Sequence, residues 1–190
     1  NPRASRTIPF LSKCIGNSLA KIASKVITGK SLKDLGLEAE IMPTNYAVKA
    51  PVFPFNKFRK VDPILGPEMK STGEVMGRGD CFGEAFGKAM KGAGEVIPNQ
   101  GRVFVSVKDN DKKYLPDLCS KLERLGFQIY ATKGTAKALE KTDVKVKIVN
   151  KVLDGRPHIV DAILNKEIDM IINTTEGRQS IKDSFSIRRS

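Results

Sequence analysis

The 190-residue sequence has no tryptophan, one histidine, three cysteines and only 6% aromatic residues. Cys14, Cys81 and Cys119 are odd in number, far apart and free of any CxxC pair, so neither a disulfide framework nor a structural zinc site is supported. Cys14 and Cys119 fall among apolar residues at helical spacing, as reduced core thiols do. The sole histidine, His158, has no partner in sequence and reads as a surface residue at a helix start, not a catalyst. No apolar run approaches the ~18 residues of a membrane span, and no charged-then-apolar leader opens the chain. A cytoplasmic protein without a membrane partner is expected. An initiator methionine is also missing, and the expectation is a chain that begins inside a longer protein.

What is abundant is positive charge. The formal net charge is +12, shared by residues 1–94 at +7 and residues 95–190 at +5. Such an excess supports nucleic-acid binding when it is clustered and interleaved with aromatics. Here the lysines are scattered and aromatics are few, so no nucleic-acid partner is expected. Small phosphorylated ligands account for the charge as well.

Two textures divide the chain. In the first, Leu11, Cys14, Ile15, Leu19, Ile22, Val26 and Ile27 recur at three- and four-residue steps, which predicts one helix running to Gly29. Ser31 with Asp34 predicts the cap of a short helix. Five prolines between Met42 and Pro67 exclude a long helix there and predict extended segments and turns. Phe82, Ala85, Phe86, Ala89 and Met90 mark a second amphipathic helix that breaks at Gly92, and residues 92–100 read as a linker.

From Gly101 the pattern becomes strand, helix, strand, helix. Strands are predicted at Val103 to Val107, Phe127 to Ala131, Val144 to Val149 and Met170 to Ile172. Helices are predicted along Leu115, Leu118, Leu122 and Leu125, from Thr135 to Leu139, and over Ile159 to Leu164. Such alternation predicts an α/β fold, a Rossmann-like parallel sheet with right-handed crossovers and helices on both faces.

Ligands bind beyond the carboxyl ends of strands in open parallel sheets. Polar residues collect there four times: Ser106 and Lys112, then Thr132 and Thr135, then Asn150 and Lys151, then Asn173, Thr174 and Thr175. Any one of them belongs naturally in a turn or helix cap. Their recurrence at four successive strand ends points to a phosphate pocket, with Gly134 and Thr135 opening a helix toward it and two lysines supplying point charge. Arg178, three residues after Thr175, is a further candidate. At the other end of the chain, Asn1, Arg3 and Arg6 share one short segment. An asparagine oxygen suits a hard cation such as Mg²⁺, and paired guanidinium groups suit phosphate oxygens.

The segments NPRASRT, FNKFRKVDPILGPEMKSTGEVMG, GTA, VNKVLDGRPHI and INTTEGR, in this order, resemble the carboxyl-terminal part of the carbamoyl phosphate synthetase large-subunit family. The resemblance covers the whole chain, and MKSTGEVMG is highly specific to it. It implies that residues 1–94 are the closing part of an ATP-grasp domain that phosphorylates carbamate. It implies that residues 95–190 form a methylglyoxal-synthase-like allosteric domain whose carboxyl-terminal strand and helix lie beyond Ser190. In that family a Glu, one residue and an Asn bind metal, and Asn1 matches the Asn. Arg3 and Arg6 match arginines that hold the transferring phosphate. Lys112, Thr132, Thr135, Lys151, Asn173 and Thr175 match a site for nucleotide effectors such as UMP or IMP.

The resemblance further implies an ATP-dependent ligase that uses Mg²⁺ or Mn²⁺, serves pyrimidine and arginine biosynthesis, works with a glutamine amidotransferase small subunit and forms an oligomer. This stretch alone is expected to be inactive, because most ATP-holding elements are absent from it. Ala50 stands where ornithine-responsive members carry a glutamate, so no ornithine response is expected. A stand-alone methylglyoxal synthase is the alternative. That family supplies its catalytic aspartates near an SGPxGGDxQ-like segment, and NKVLDGRPHIVD lacks that glycine-rich signature.

Overall fold

The computed structural model describes residues 5–57, 63–68, 70–177, 181 and 184–189. It divides the chain into two compact units, one of residues 1–54 and 65–96, the other of residues 55–64 and 97–190.

The first unit opens with two helices, α1 (Thr7–Ile15) and α2 (Leu19–Ile27). The spacing of apolar residues predicts a single helix here, and the structure corrects that. Gly16 takes the left-handed conformation at φ 75° and ends α1. The Ser12 hydroxyl accepts a hydrogen bond from Leu19 N at 3.1 Å, tying the start of α2 back to α1. Apolar periodicity runs through the Gly16-Asn17-Ser18 turn because the turn inserts three residues, close to one helical turn. The short 3-10 helix Lys33–Leu35 follows, with the reciprocal cap expected of Ser31 and Asp34: Asp34 N donates to Ser31 Oγ at 3.1 Å and Ser31 N donates to Asp34 Oδ2 at 3.0 Å.

Strands β1 (Tyr46–Val52) and β2 (Gly73–Gly79) pair antiparallel, Tyr46 opposite Gly79 and Val52 opposite Gly73. Helix α3 (Phe82–Gly92) packs on them through its smallest residues. Ala85 and Ala89 are fully buried, whereas Phe82 and Phe86 are largely exposed and stack on each other with centroids 5.7 Å apart. The reason lies in β2. A Cβ at Gly77 would stand 1.9 Å from Ala85 O, and one at Gly79 would stand 2.8 Å from Ala85 N. Helix and strand therefore meet backbone to backbone, a separation only Gly and Ala permit.

The second unit is a four-stranded, all-parallel sheet in the order β5-β4-β3-β6, with β3 (Gly101–Ser106), β4 (Phe127–Ala131), β5 (Val146–Ile148) and β6 (Met170–Asn173). Residues alternate between its faces. Val103, Val105 and Ile129 pack with Leu115, Cys119 and Leu122 of α4 (Leu115–Arg124) on one side. Phe104 and Tyr130 point the other way, toward Ile159 and Ile163 of α6 (Ile159–Leu164) and Ile187 of α7 (Phe185–Arg189). A strand buried on both faces reads as a continuous apolar run, as β3 does.

At the amino-terminal edge of this sheet Asp169 fastens β6 to β3. Its carboxylate accepts from Arg102 N at 2.8 Å and from Arg102 Nε at 3.1 Å, while Asp169 N donates to Arg102 O at 2.8 Å. These bonds, the side-chain one foremost, hold the Asp169 carboxyl below its ordinary range.

Candidate functional site

The chain order of the sheet fixes where a ligand can sit. Strands β3, β4 and β5 step outward on one side, and β6 then returns to the other side of β3, so the topological switch falls between β3 and β6. A crevice opens at the carboxyl ends of the strands, as such sheets dictate. Its volume is about 430 Å³, and Lys112, Thr132, Thr135, Lys151, Asn173 and Thr175 all line it. The structure thus brings together every residue that the strand-end pattern singled out in the second unit, Ser106 and Thr174 included, except Asn150, which holds its loop, and Arg178, which lies outside the described residues.

Each loop is anchored. After β3, Lys108 N donates to Thr174 Oγ1 at 3.1 Å and Thr174 N donates to Ser106 O at 3.0 Å, which laces the ends of β3 and β6 together. The 3-10 helix Asp109–Tyr114 then carries Lys112 over the start of α5 (Lys133–Lys137), with its Nζ 3.8 Å from where a Cβ on Gly134 would lie. After β4, Thr132 and Thr135 are both buried, and the Thr132 hydroxyl donates to Thr135 Oγ1 at 3.2 Å. That bond leaves the Thr135 hydroxyl proton free to face a ligand in the crevice.

After β5, the loop bearing Lys151 is closed at its base by Asn150. Asn150 Nδ2 donates to Pro157 O at 3.1 Å and Asn150 O accepts from Ile159 N at 3.1 Å. Lys151 N is itself held by Asp154 Oδ2 at 3.1 Å, so the backbone beneath this exposed lysine is fixed. His158 completes the loop, and here the structure corrects the sequence reading. It is 8% exposed, not a surface residue, and caps α6, with its backbone N donating to Asp161 Oδ2 at 3.0 Å and its Nδ1 3.4 Å from Asp161 N. Its role is architectural.

Reasoning from sequence missed four kinds of lining. Phe104, Val152, Leu153, Ile159 and Ile187 form apolar wall, and Ser184 adds a hydroxyl from the segment before α7. Lys108 adds a third cation, and Asp109 and Glu176 add two carboxylates. Alternation along β3 is the signal that places Phe104 on the far face of the sheet, toward α6 and α7. No local pattern marks the carboxylates. Lys112 Nζ pairs with Asp109 Oδ1 at 2.6 Å, and the Lys112 hydrogen bond and charge, with the field of Lys151, keep the Asp109 carboxyl below its ordinary range. Polar atoms thus stand along the strand-end rim with an apolar wall beneath, the composition of a site for a phosphorylated organic molecule.

In the first unit, Arg6 lines a smaller crevice of about 240 Å³ with Pro9, Phe10, Lys13, Lys49 and Glu74. Lys49 Nζ reaches Glu74 Oε2 at 3.4 Å and Thr7 Oγ1 at 3.2 Å. Asn1 and Arg3 lie outside the described residues. Among the described residues no cluster of three or more His, Cys, Asp or Glu side chains is placed to hold a metal ion. None of their helices is long and apolar enough to cross a membrane. Ala50 is buried in β1 and presents no charged group.

Residues 115–190 match the MGS-like domain family. Over its entire length the chain is 63% identical to the carbamoyl phosphate synthase large chain of Pseudomonas putida, 63% to that of Pseudomonas syringae pv. tomato and 54% to that of Vibrio parahaemolyticus. It spans 18% of the length of each of these relatives. The chain is thus similar throughout to one part of a carbamoyl phosphate synthase large chain, and it carries an MGS-like domain within a parallel α/β fold.

Proposed function

We propose that residues 95–190 act as the nucleotide-effector domain of a carbamoyl phosphate synthase large chain, and that residues 1–94 supply one edge of its carbamate-phosphorylating site. The whole protein makes carbamoyl phosphate from bicarbonate, ammonia released from glutamine, and ATP. It does so in the cytoplasm, within an oligomer that includes a glutamine amidotransferase small subunit. Magnesium or manganese accompanies ATP in that longer protein, with Asn1 as one ligand. The described residues do not by themselves assemble a metal site. Arg3 and Arg6 neutralise charge on the phosphoryl group in flight. The chain of residues 1–190 alone has no synthase activity on this reading.

The observation that carries the effector reading is the convergence of six polar side chains, from all four strand ends, on one crevice with an apolar wall. Lys112, Thr132, Thr135 and Lys151 surround the phosphate of a UMP- or IMP-like ligand, and Asn173 and Thr175 reach its sugar or base. Isothermal titration of the chain with each nucleotide is the test. Lys151→Ala weakens binding by about 1.5 to 3 kcal/mol, the range for a hydrogen bond to a charged group. Thr135→Val costs less. An absence of binding by the unmodified chain at millimolar nucleotide overturns the reading.

A further inference from the structure

The crevice that the proposed function assigns to a phosphorylated ligand already holds an anion of its own. Asp109 and Lys112 stand three residues apart on one 3-10 turn, a spacing that eclipses side chains. Their charged atoms meet at 2.6 Å. The pair is asymmetric: the Asp109 side chain is 93% exposed, whereas the Lys112 side chain is 29% exposed. Lysine is therefore held by its surroundings and aspartate is free to turn into solvent. Both line the crevice, together with Lys151, whose field also reaches Asp109.

We infer that the Asp109 carboxylate is an internal competitor for the phosphate subsite, occupying Lys112 when the crevice is empty and swinging outward when a phosphate dianion enters. This rests on the phosphate-pocket reading and adds to it a residue that sets affinity without serving the ligand. An incoming dianion meets a cation already engaged and a like charge beside it, so entry costs the Asp109–Lys112 contact or is opposed by repulsion. Removing the carboxylate frees the lysine. A neutral amide at this position keeps the shape and loses the competition.

The experiment titrates the 190-residue chain with inorganic phosphate and with UMP, at fixed ionic strength and pH 7.5, by calorimetry. Asp109→Asn is expected to tighten both by about threefold to tenfold, the scale of one partly exposed charge interaction felt by a dianion. Asp111→Asn, the same charge change two residues on at a position that does not line the crevice, leaves affinity within twofold. In a Lys112→Met background the gain from Asp109→Asn shrinks to less than about twofold, because only the weaker like-charge repulsion remains to be relieved. If Asp109→Asn fails to tighten binding, or tightens it no more than Asp111→Asn, the competitor role is overturned, while phosphate binding that weakens in Lys151→Ala keeps the pocket reading intact. If neither phosphate nor UMP binds any variant, the pocket reading falls and the competitor role with it.

Discussion

Replacing Gly77 with alanine tests whether α3 and β2 are held at backbone contact. The added Cβ would lie 1.9 Å from Ala85 O, 2.5 Å from Ala89 N and 3.0 Å from Ala89 Cβ. Normal contact begins near 3.5 Å, so the helix must retreat by roughly 1.5 Å. No side chain can absorb the shift, because two of the three obstructing atoms are backbone. Ala85 and Ala89 are fully buried against this strand, and a gap of that size forfeits much of their dispersion energy. Overpacking costs about 1 to 3 kcal/mol, and a backbone clash of this depth belongs at or above the upper end. Gly73→Ala is the control: it lies on the same strand, with nothing within 4 Å of its Cβ position and no positive φ. It should be neutral or stabilise by about 0.4 to 1 kcal/mol. Native-state hydrogen exchange at the amides of β1, β2 and α3 reads the first unit without interference from the second. Exchange free energies for Gly77→Ala within about 0.5 kcal/mol of those for Gly73→Ala would refute the packing argument.

The parallel sheet was legible from sequence because both of its signals are local. Apolar runs of four to six residues separated by amphipathic helices define strand and crossover without knowledge of neighbours, and β4 falls on residues 127–131 as the pattern predicts. Two of the places where sequence misled share a cause. Periodicity identifies which residues lie on one line, not whether the chain bends along it, so the turn at Gly16 was invisible in the spacing of Cys14, Ile15 and Leu19. In α3, periodicity selected the phenylalanines together with the alanines, but the face that packs is decided by the glycines of β2, which lie several residues earlier.

The crevice was legible in its polar half only. Ser, Thr, Asn and Lys at strand ends announce themselves by position, since the topology forces all four ends to one rim. Its apolar wall depends on which elements the fold packs against the far face of the sheet, which no local pattern records, and the three-residue spacing of Asp109 and Lys112 becomes a contact only because that segment folds as a 3-10 turn. The same holds for His158, whose burial follows from the return of its loop to Asn150.

Gly101→Ala combines a left-handed φ of 130° with a Cβ 2.6 Å from Asp169 Oδ2, so it should strain the backbone by about 1 to 3 kcal/mol and displace the carboxylate from Arg102. Denaturant unfolding measures the loss. Because the folded Asp169 carboxyl lies below its ordinary range, its contribution is present above the unfolded carboxylate range and lost as pH falls through the folded value, so the acid limb of the stability profile should flatten in this variant. Alkylation of the native chain should label exposed Cys81 first and leave buried Cys14 and Cys119 until the chain unfolds, as peptide mass mapping would show. The last expectation concerns Cys119 in alkali. Burial, with a smaller push from Glu123, raises its thiol from an ordinary value of 9.0 to about 11. Below pH 9 the thiol is protonated in both states and favours neither. Between pH 9 and 11 the unfolded chain releases the proton and the folded chain keeps it, so stability falls as pH rises, by about 2 to 3 kcal/mol in all. Lysines titrate in the same window, and only the difference between the parent chain and Cys119→Ala isolates the thiol. That difference should grow with negative slope from pH 9 upward; parallel profiles would mean that the thiol ionises equally in both states and that the core around α4 admits water.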